Sequence, residues 1–292
     1  MGEFCVAVDI GGTKLAAGLV GRRGNLHADR RAPTVATNDP EQLWGALSTL
    51  VRGLLEEAPP GAAACGVGCG GPMSPGGEEV SPLNIPAWRG FPLRRRLAEL
   101  TGLPTFVDND AKALALAEGW TGAAAGCRDY LAMVVSTGVG GGIVLDGRLL
   151  EGRGGNAGHI GHVVVEPDGR RCACGGRGCL EAEASGTAIA AITGRPPADA
   201  PPSVVARTGT LVGRAVASVV DLLDLPLAVV AGSVALGFGE PFFEAARREL
   251  RSRARLEYAL GARIEPAGLG DEGPLVGAGA VGWRGIDQGS PR

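Results

Sequence analysis

Two apolar runs open the chain, Phe4 to Ile10 and Leu15 to Val20, and they flank the polar group Gly11-Gly12-Thr13-Lys14. This predicts two strands joined by a tight turn. A third strand is expected over 24–34. Asp39-Pro40-Glu41 is a helix start, with proline in the first turn and an acid near the positive end, and the helix should run to about Glu57, where Pro59 and Pro60 stop it. Residues 62–69 read as the next strand, ending in Gly70-Gly71-Pro72, and 81–88 as an extended loop pinned by Pro82 and Pro86. A helix follows from Phe91-Pro92 through Leu100, then a strand over 104–107. Asp108-Asn109-Asp110 then cap an alanine-rich helix to about Ala124.

The second half repeats the opening plan. Residues 129–136 are apolar, Thr137-Gly138-Val139-Gly140-Gly141-Gly142 is a glycine turn with a threonine, and 143–145 are apolar again. Helices are expected over 181–192, 203–223, 240–253 and 273–283, and a strand over 227–230 ends at Ala231-Gly232-Ser233. Two copies of one strand–turn–strand unit imply a duplicated core with a nucleotide between its halves. The Gly11-Gly12 pair sits between strands, which excludes a Walker loop and a Rossmann turn there, since both open a helix. Backbone amides in such turns can face a phosphate, although a glycine hairpin also serves purely structural ends.

Composition narrows the class. The 292 residues suffice for one large domain or two medium ones, and a 45% hydrophobic, 20% charged chain builds a packed core. Fifty glycines are too many for a helical bundle and suit a turn-rich α/β protein. A net charge of -3 without a lysine-rich block argues against nucleic acid as a partner. No apolar run resembles a signal peptide or approaches the about 20 residues of a membrane span. The expected compartment is therefore the cytoplasm, reducing towards thiols.

Candidate chemistry concentrates in residues 158–181. Cys172, Cys174 and Cys179 fall within eight residues, and His162 lies ten positions upstream. One imidazole and three thiolates are a complete tetrahedral set for zinc, and a closed set is structural rather than catalytic. At 108–110 a plain N-cap accounts for one of three polar residues. An acid at a strand end and helix start is held rigidly, and the helix dipole favours its ionised form, as a base accepting a hydroxyl proton requires. Asn84, between prolines, fits either an Asx turn or a ligand hydroxyl.

Ala157-Gly158-His159-Ile160-Gly161-His162, the Cys172-x-Cys174-Gly-x-x-Gly-Cys179 run, Glu181 and Asn109-Asp110-Ala111 resemble the signature of the ROK family of sugar kinases and repressors, and the resemblance spans nearly the whole chain. It implies an α/β actin-like ATPase (ribonuclease H-like) fold of two lobes with a zinc-stabilised loop. The small lobe would hold 1–108, with a C-terminal helix of about 275–292 packing back. The large lobe would hold 109–274, with the zinc motif at 162–179. It further implies ATP and Mg2+ in the cleft. Gly11, Gly12, Thr13, Lys14, Thr137, Gly138 and Gly140 would cradle phosphates, and Gly232 would lie at the adenosine. Asp110 would be the base. Asn84, Asn109, Asp110, His159, His162 and Glu181 would contact the sugar, with zinc fixing His162 and Glu181. A homodimer is implied as well.

The expected activity is ATP-dependent phosphorylation of the 6-hydroxyl of N-acetylmannosamine, with glucose as the alternative substrate. Glucokinases of the family carry Glu where this chain has His159. Neutral histidine both donates and accepts, which moves the reading towards a 2-acetamido sugar. A family repressor carries an added N-terminal helix-turn-helix domain, for which a first strand at Phe4 leaves no room.

Overall fold

In the computed structural model the opening apolar runs form β1 (Phe4–Ile10) and β2 (Lys14–Gly21), antiparallel with Ile10 opposite Leu15. Residues 3–289 are described. β3 (Leu26–Pro33) adds antiparallel to β2. β4 (Ala62–Cys69) lies parallel to β1, and β5 (Thr105–Asn109) parallel to β4, giving the order β3-β2-β1-β4-β5. Every residue of β1 is buried, so it reads as a continuous apolar run rather than an alternating one. α1 (Pro40–Glu57) starts where the Asp39 carboxylate accepts the Glu41 amide proton at 2.8 Å, and it buries Leu43, Leu47, Val51 and Leu54. α2 (Leu93–Thr101) ends at left-handed Gly102, and α3 (Asp110–Trp120) begins directly at the end of β5. α3 is shorter than its alanine content predicts. Thr121 leaves the helical region at φ −139°, and Gly122 follows it, a pair that does not sustain a helix.

The second sheet contains β6 (Tyr130–Val135), β7 (Val139–Leu145), β8 (Arg148–Leu149), β9 (Leu227–Ala231) and β10 (Arg263–Pro266), in the order β10-β9-β6-β7-β8. β6 pairs antiparallel with β7 and parallel with β9, as β1 does with β2 and β4. The second sheet therefore repeats the first strand for strand, and this is the duplicated core of the actin-like ATPase fold. β7 begins earlier than expected. Gly140, Gly141 and Gly142 lie inside it, opposite Val134, Met133 and Ala132, because pairing with β6 overrides the weak strand preference of glycine. The short edge strands β8 and β10 carry no apolar alternation and were not foreseen.

The expected single helix after the cysteines is two helices, α4 (Leu180–Ala184) and α5 (Gly186–Thr193). The Ser185 hydroxyl separates them by accepting the Ala188 amide proton at 3.1 Å. α6 (Pro202–Leu223), α7 (Ser233–Phe238) and α8 (Glu240–Arg253) follow. By length and composition α6 could cross a membrane, with a mean hydropathy of 1.2, contrary to the sequence reading. Its apolar face is spent inside the protein, where Leu211, Val212, Ala215 and Val216 share a core with Phe242 and Ala246 of α8. The last helix is α9 (Gly273–Asp287), which lies against α3, β1 and β4. The end of its expected range, 290–292, falls outside the described residues.

Two units emerge. One holds the chain to Thr121, Glu151–Ala157 and the chain from Leu269; the other holds Gly122–Leu150 and Gly158–Gly268. α3 clusters with the first unit rather than heading the second, because it packs on α9 and β4.

Candidate active site

In the first unit the glycine turn is closed by the Gly11 amide donating to the Lys14 carbonyl at 2.9 Å. The chain after β3 braces it: the Thr34 hydroxyl donates to the Gly11 carbonyl at 2.7 Å, and the Thr34 amide to the Thr13 carbonyl at 3.1 Å. Gly12 runs so close to the 81–88 loop that a Cβ there would sit 2.9 Å from Asn84 Cβ, a spacing no side chain tolerates. Gly12 and Asn84 also line one cavity of about 480 Å³, with Thr34, Asn38 and Pro86.

At the head of α3 the three polar residues divide the work. Asn109 is the cap, its Oδ1 accepting the amide protons of Ala111 at 3.1 Å and Lys112 at 3.4 Å. Asp108 accepts the Asn109 amide at 2.8 Å. Asp110 is exposed, and its Oδ1 accepts the Ala111 amide at 2.9 Å. The cap is thus made without Asp110, and a base must reach its substrate.

Asp9 is not among the site residues that the sequence motifs mark. It is a buried carboxylate near the end of an otherwise apolar strand, and a charge in such a run is the signal that could have marked it. A Cβ built at Gly68 of β4 would lie 3.6 Å from Asp9 Oδ1 and 3.6 Å from Asp110 Cα, so the two acids converge there. Burial, and next the charge of Asp110, push the Asp9 carboxyl from an ordinary 3.8 up to about 7, against the opposing charges of Lys14 and Arg31. The same surroundings, burial first, push the neighbouring Cys69 thiol well above its usual range.

An acid held above its unfolded value keeps its proton longer in the folded chain. Its contribution to stability is full below about pH 4 and is lost as pH rises towards about 7. Asp9→Asn abolishes this loss. The ligand-free variant should gain on wild type progressively from pH 4 to 7, by at most about 4 kcal/mol for a shift of roughly three units, and thermal melts across that range would read the gap. A gap that does not change with pH would mean that Asp9 is ionised in the fold.

In the second unit the corresponding turn is Ser136-Thr137-Gly138, with the Ser136 amide donating to the Gly138 carbonyl at 2.9 Å. The start of α5 holds it from behind: Gly186 N donates to Ser136 O at 2.7 Å, and the Thr187 hydroxyl to Thr137 O at 3.0 Å. Gly140 is two residues into β7, not in the turn. Gly232 follows β9 with φ 101°, and a Cβ there would meet Val135 N at 2.8 Å. The hydroxyls of Ser233 and Ser136 lie 2.9 Å apart, so the end of β9 adjoins the turn. Glu181 Oε2 accepts the Val139 amide at 2.9 Å, which ties that carboxylate to the strand leaving the turn.

His162, Cys172, Cys174 and Cys179 come together, their donor atoms all within 4.8 Å of one another. Cys172 Sγ lies 3.7 Å from His162 Nδ1, and Cys174 Sγ 3.7 Å from Cys179 Sγ. A zinc tetrahedron with bonds of about 2.3 Å has sulfur–sulfur edges of about 3.8 Å, so the donors fit zinc. The backbone supports the loop through Cys172 N to Gly176 O and Leu180 N to Val163 O, both 2.9 Å. A hydrogen bond from the Gly176 backbone lowers the Cys174 thiol. Burial, and then the sulfurs of Cys174 and Cys172, push Cys179 up to about 12. Three thiolates share this space only with a cation among them. Nδ1 faces the cysteines, so Nε2 is the nitrogen that can turn to a ligand. His159 is exposed, its ring centroid 6.1 Å from that of His162.

Of the residues expected to contact sugar, Asn84, Asn109 and Asp110 fall in the first unit, and His159, His162 and Glu181 in the second. The ROK family profile matches residues 5–282. An N-acetylmannosamine kinase of Escherichia fergusonii is 40% identical over 250 residues, covering 80% of this chain and 84% of that protein. Among solved structures, a ROK family glucokinase from Streptomyces griseus in complex with glucose and AMPPNP superposes with a TM-score of 0.84 at 30% identity, over 97% of this chain and 100% of that one. A ROK hexokinase from Thermus thermophilus gives 0.82 at 36% identity, over 98% and 100%.

Proposed function

The chain belongs to the ROK family, and from that premise we propose that it is an ATP-dependent sugar kinase acting on the 6-hydroxyl of N-acetylmannosamine. The observation that carries the reading is Asp110, exposed at the head of α3, converging with buried Asp9 at Gly68. Phosphoryl transfer asks a protein for position and charge neutralisation rather than covalent chemistry. Asp110 takes the hydroxyl proton as that oxygen forms its bond to the γ-phosphorus and the bond to ADP breaks. Backbone amides of Gly12 and Thr13, in the turn that the Gly11 amide closes, hold phosphates with Lys14, as do Thr137 and Gly138 in the second turn, and Gly232 lies at the adenosine. When bound, magnesium neutralises phosphate charge. Asp9 is the side chain suited to it, since a divalent cation relieves the burial that disfavours its ionised form.

Asn84, Asn109, His159, His162 and Glu181 orient the sugar. His162, Cys172, Cys174 and Cys179 would hold zinc, which would brace the loop from which His162 projects, and the bond from Val139 holds Glu181. Neither arrangement asks zinc to act on the substrate. This reading includes a reducing compartment, where the thiolates stay available to metal, and a homodimer, which sedimentation checks.

A coupled ADP-release assay over a panel of hexoses and hexosamines tests the reading. N-acetylmannosamine should give the highest kcat/KM. Glucokinase is the second reading, favoured by the likeness to the Streptomyces griseus enzyme, and His159 decides between them. His159→Glu should move the kcat/KM ratio towards glucose, because His159, exposed in the free protein, is covered once sugar binds, and a polar group mismatched there costs ~1 to 3 kcal/mol, roughly tenfold to a hundredfold. The KM for ATP should stay near its wild-type value. A preference for glucose in the wild type, or a ratio unmoved in the variant, would favour glucokinase.

A further inference from the structure

We propose that Lys112 is a positioning residue for this reaction: its buried ammonium ties the strap Glu151–Ala157 to the β5–α3 junction that carries Asn109 and Asp110. The inference rests on the kinase reading. Lys112 is one of two lysines in the chain, and its side chain is 2% exposed. Its Nζ lies 3.0 Å from Asp108 Oδ1, pairs with Glu151 and donates to the Gly155 carbonyl at 3.2 Å. Arg284 of α9 closes the group, 2.7 Å from Glu151 and 3.9 Å from Asp108.

A buried lysine is retained at a desolvation cost, and apolar packing would often stabilise a core as well. The network therefore points to position rather than stability. The strap has no helix or strand of its own; the bond from Ala157 N to Glu151 O, 3.0 Å, closes it on itself. It is held to its unit through Lys112 and Arg284. Asp108, the other carboxylate on Lys112, also accepts the Asn109 amide, so one ammonium fixes both the strap and the backbone just before the base. Gly158 and His159 follow the strap in the chain. Burial raises the Asp108 carboxyl. Burial also works on Glu151, but the hydrogen bonds from Lys112 and Arg284 outweigh it and hold that carboxyl low, as a group held in an ion network should be.

Glu151→Gln and Lys112→Met test this on the full chain, with KM for sugar and for ATP, melting temperature and amide hydrogen exchange of the strap. Glu151 is half-exposed, and its variant leaves the Lys112–Asp108 pair standing, so it folds even where Lys112→Met does not. Both variants should raise the sugar KM about tenfold or more, leave the ATP KM within about twofold, and speed exchange over 151–157 alone. A sugar KM in Glu151→Gln within about twofold of wild type would overturn the role. So would a joint rise of both KM values with a lower melting temperature, the mark of a merely structural group. Wild type that phosphorylates no sugar of the panel would remove the kinase reading itself, which is a different failure from an unmoved variant.

Discussion

Asp110→Asn is expected to bind ATP and sugar and to lose turnover by ~10² to 10⁴, the usual cost of removing a general base. The fold should survive, because Asn109 and not Asp110 caps α3, and an asparagine Oδ1 can still accept the Ala111 amide proton. The side chain is exposed, so the change leaves no buried orphan. Calorimetry for both ligands beside steady-state kcat separates binding from chemistry. The loss should appear in kcat with little change in either dissociation constant, because the carboxylate matters most when the hydroxyl proton is in flight. Near-normal kcat would remove Asp110 from the role and leave the converging Asp9 as the acid to examine.

The second large effect concerns the metal. One zinc per chain should co-purify, and Cys174→Ser or chelation should release it, lower the melting temperature and weaken sugar binding together. Zinc at roughly a thousandfold its dissociation constant contributes about 4 kcal/mol to stability, or on the order of 10 °C in a chain of this size. Sugar binding should follow because His162 is both a donor to the cluster and, through Nε2, an expected sugar contact. ATP binding should suffer less, since the turn at Ser136-Thr137-Gly138 is held by α5 and not by the cysteine loop. Metal analysis of unchelated protein finding no zinc would sink the argument from donor spacing. Metal loss with unchanged sugar affinity would detach His162 from the substrate.

Part of this protein is written in near neighbours along the chain. β1 and β2 are legible because buried strands must be apolar and the Gly11–Lys14 turn between them must not be. The start of α1 is legible because Asp39 satisfies an amide two residues away. The four zinc donors are legible because they lie within 18 residues and one short loop gathers them. The repeated strand–turn–strand plan implied a duplicated core, and the two sheets share one strand order.

Other features depend on partners distant in sequence, and no local pattern announces them. Gly140 is strand rather than turn because β6 offers it a ladder partner. Which of Asp108, Asn109 and Asp110 caps α3 was settled by geometry, since all three residue types can cap. Asp9 is one polar letter in an apolar strand, and only burial and Asp110 give its carboxyl a raised proton affinity. Nothing in the alanine-rich helix marks Lys112 as buried; Glu151, 39 positions on, meets it in the interior. Hydrogen bonds to adjacent residues and the periodicity of burial act over a few positions and are therefore visible in a string of letters. The energy of a buried charge is set by whatever the completed fold brings to it, and that exists only once the chain has closed on itself.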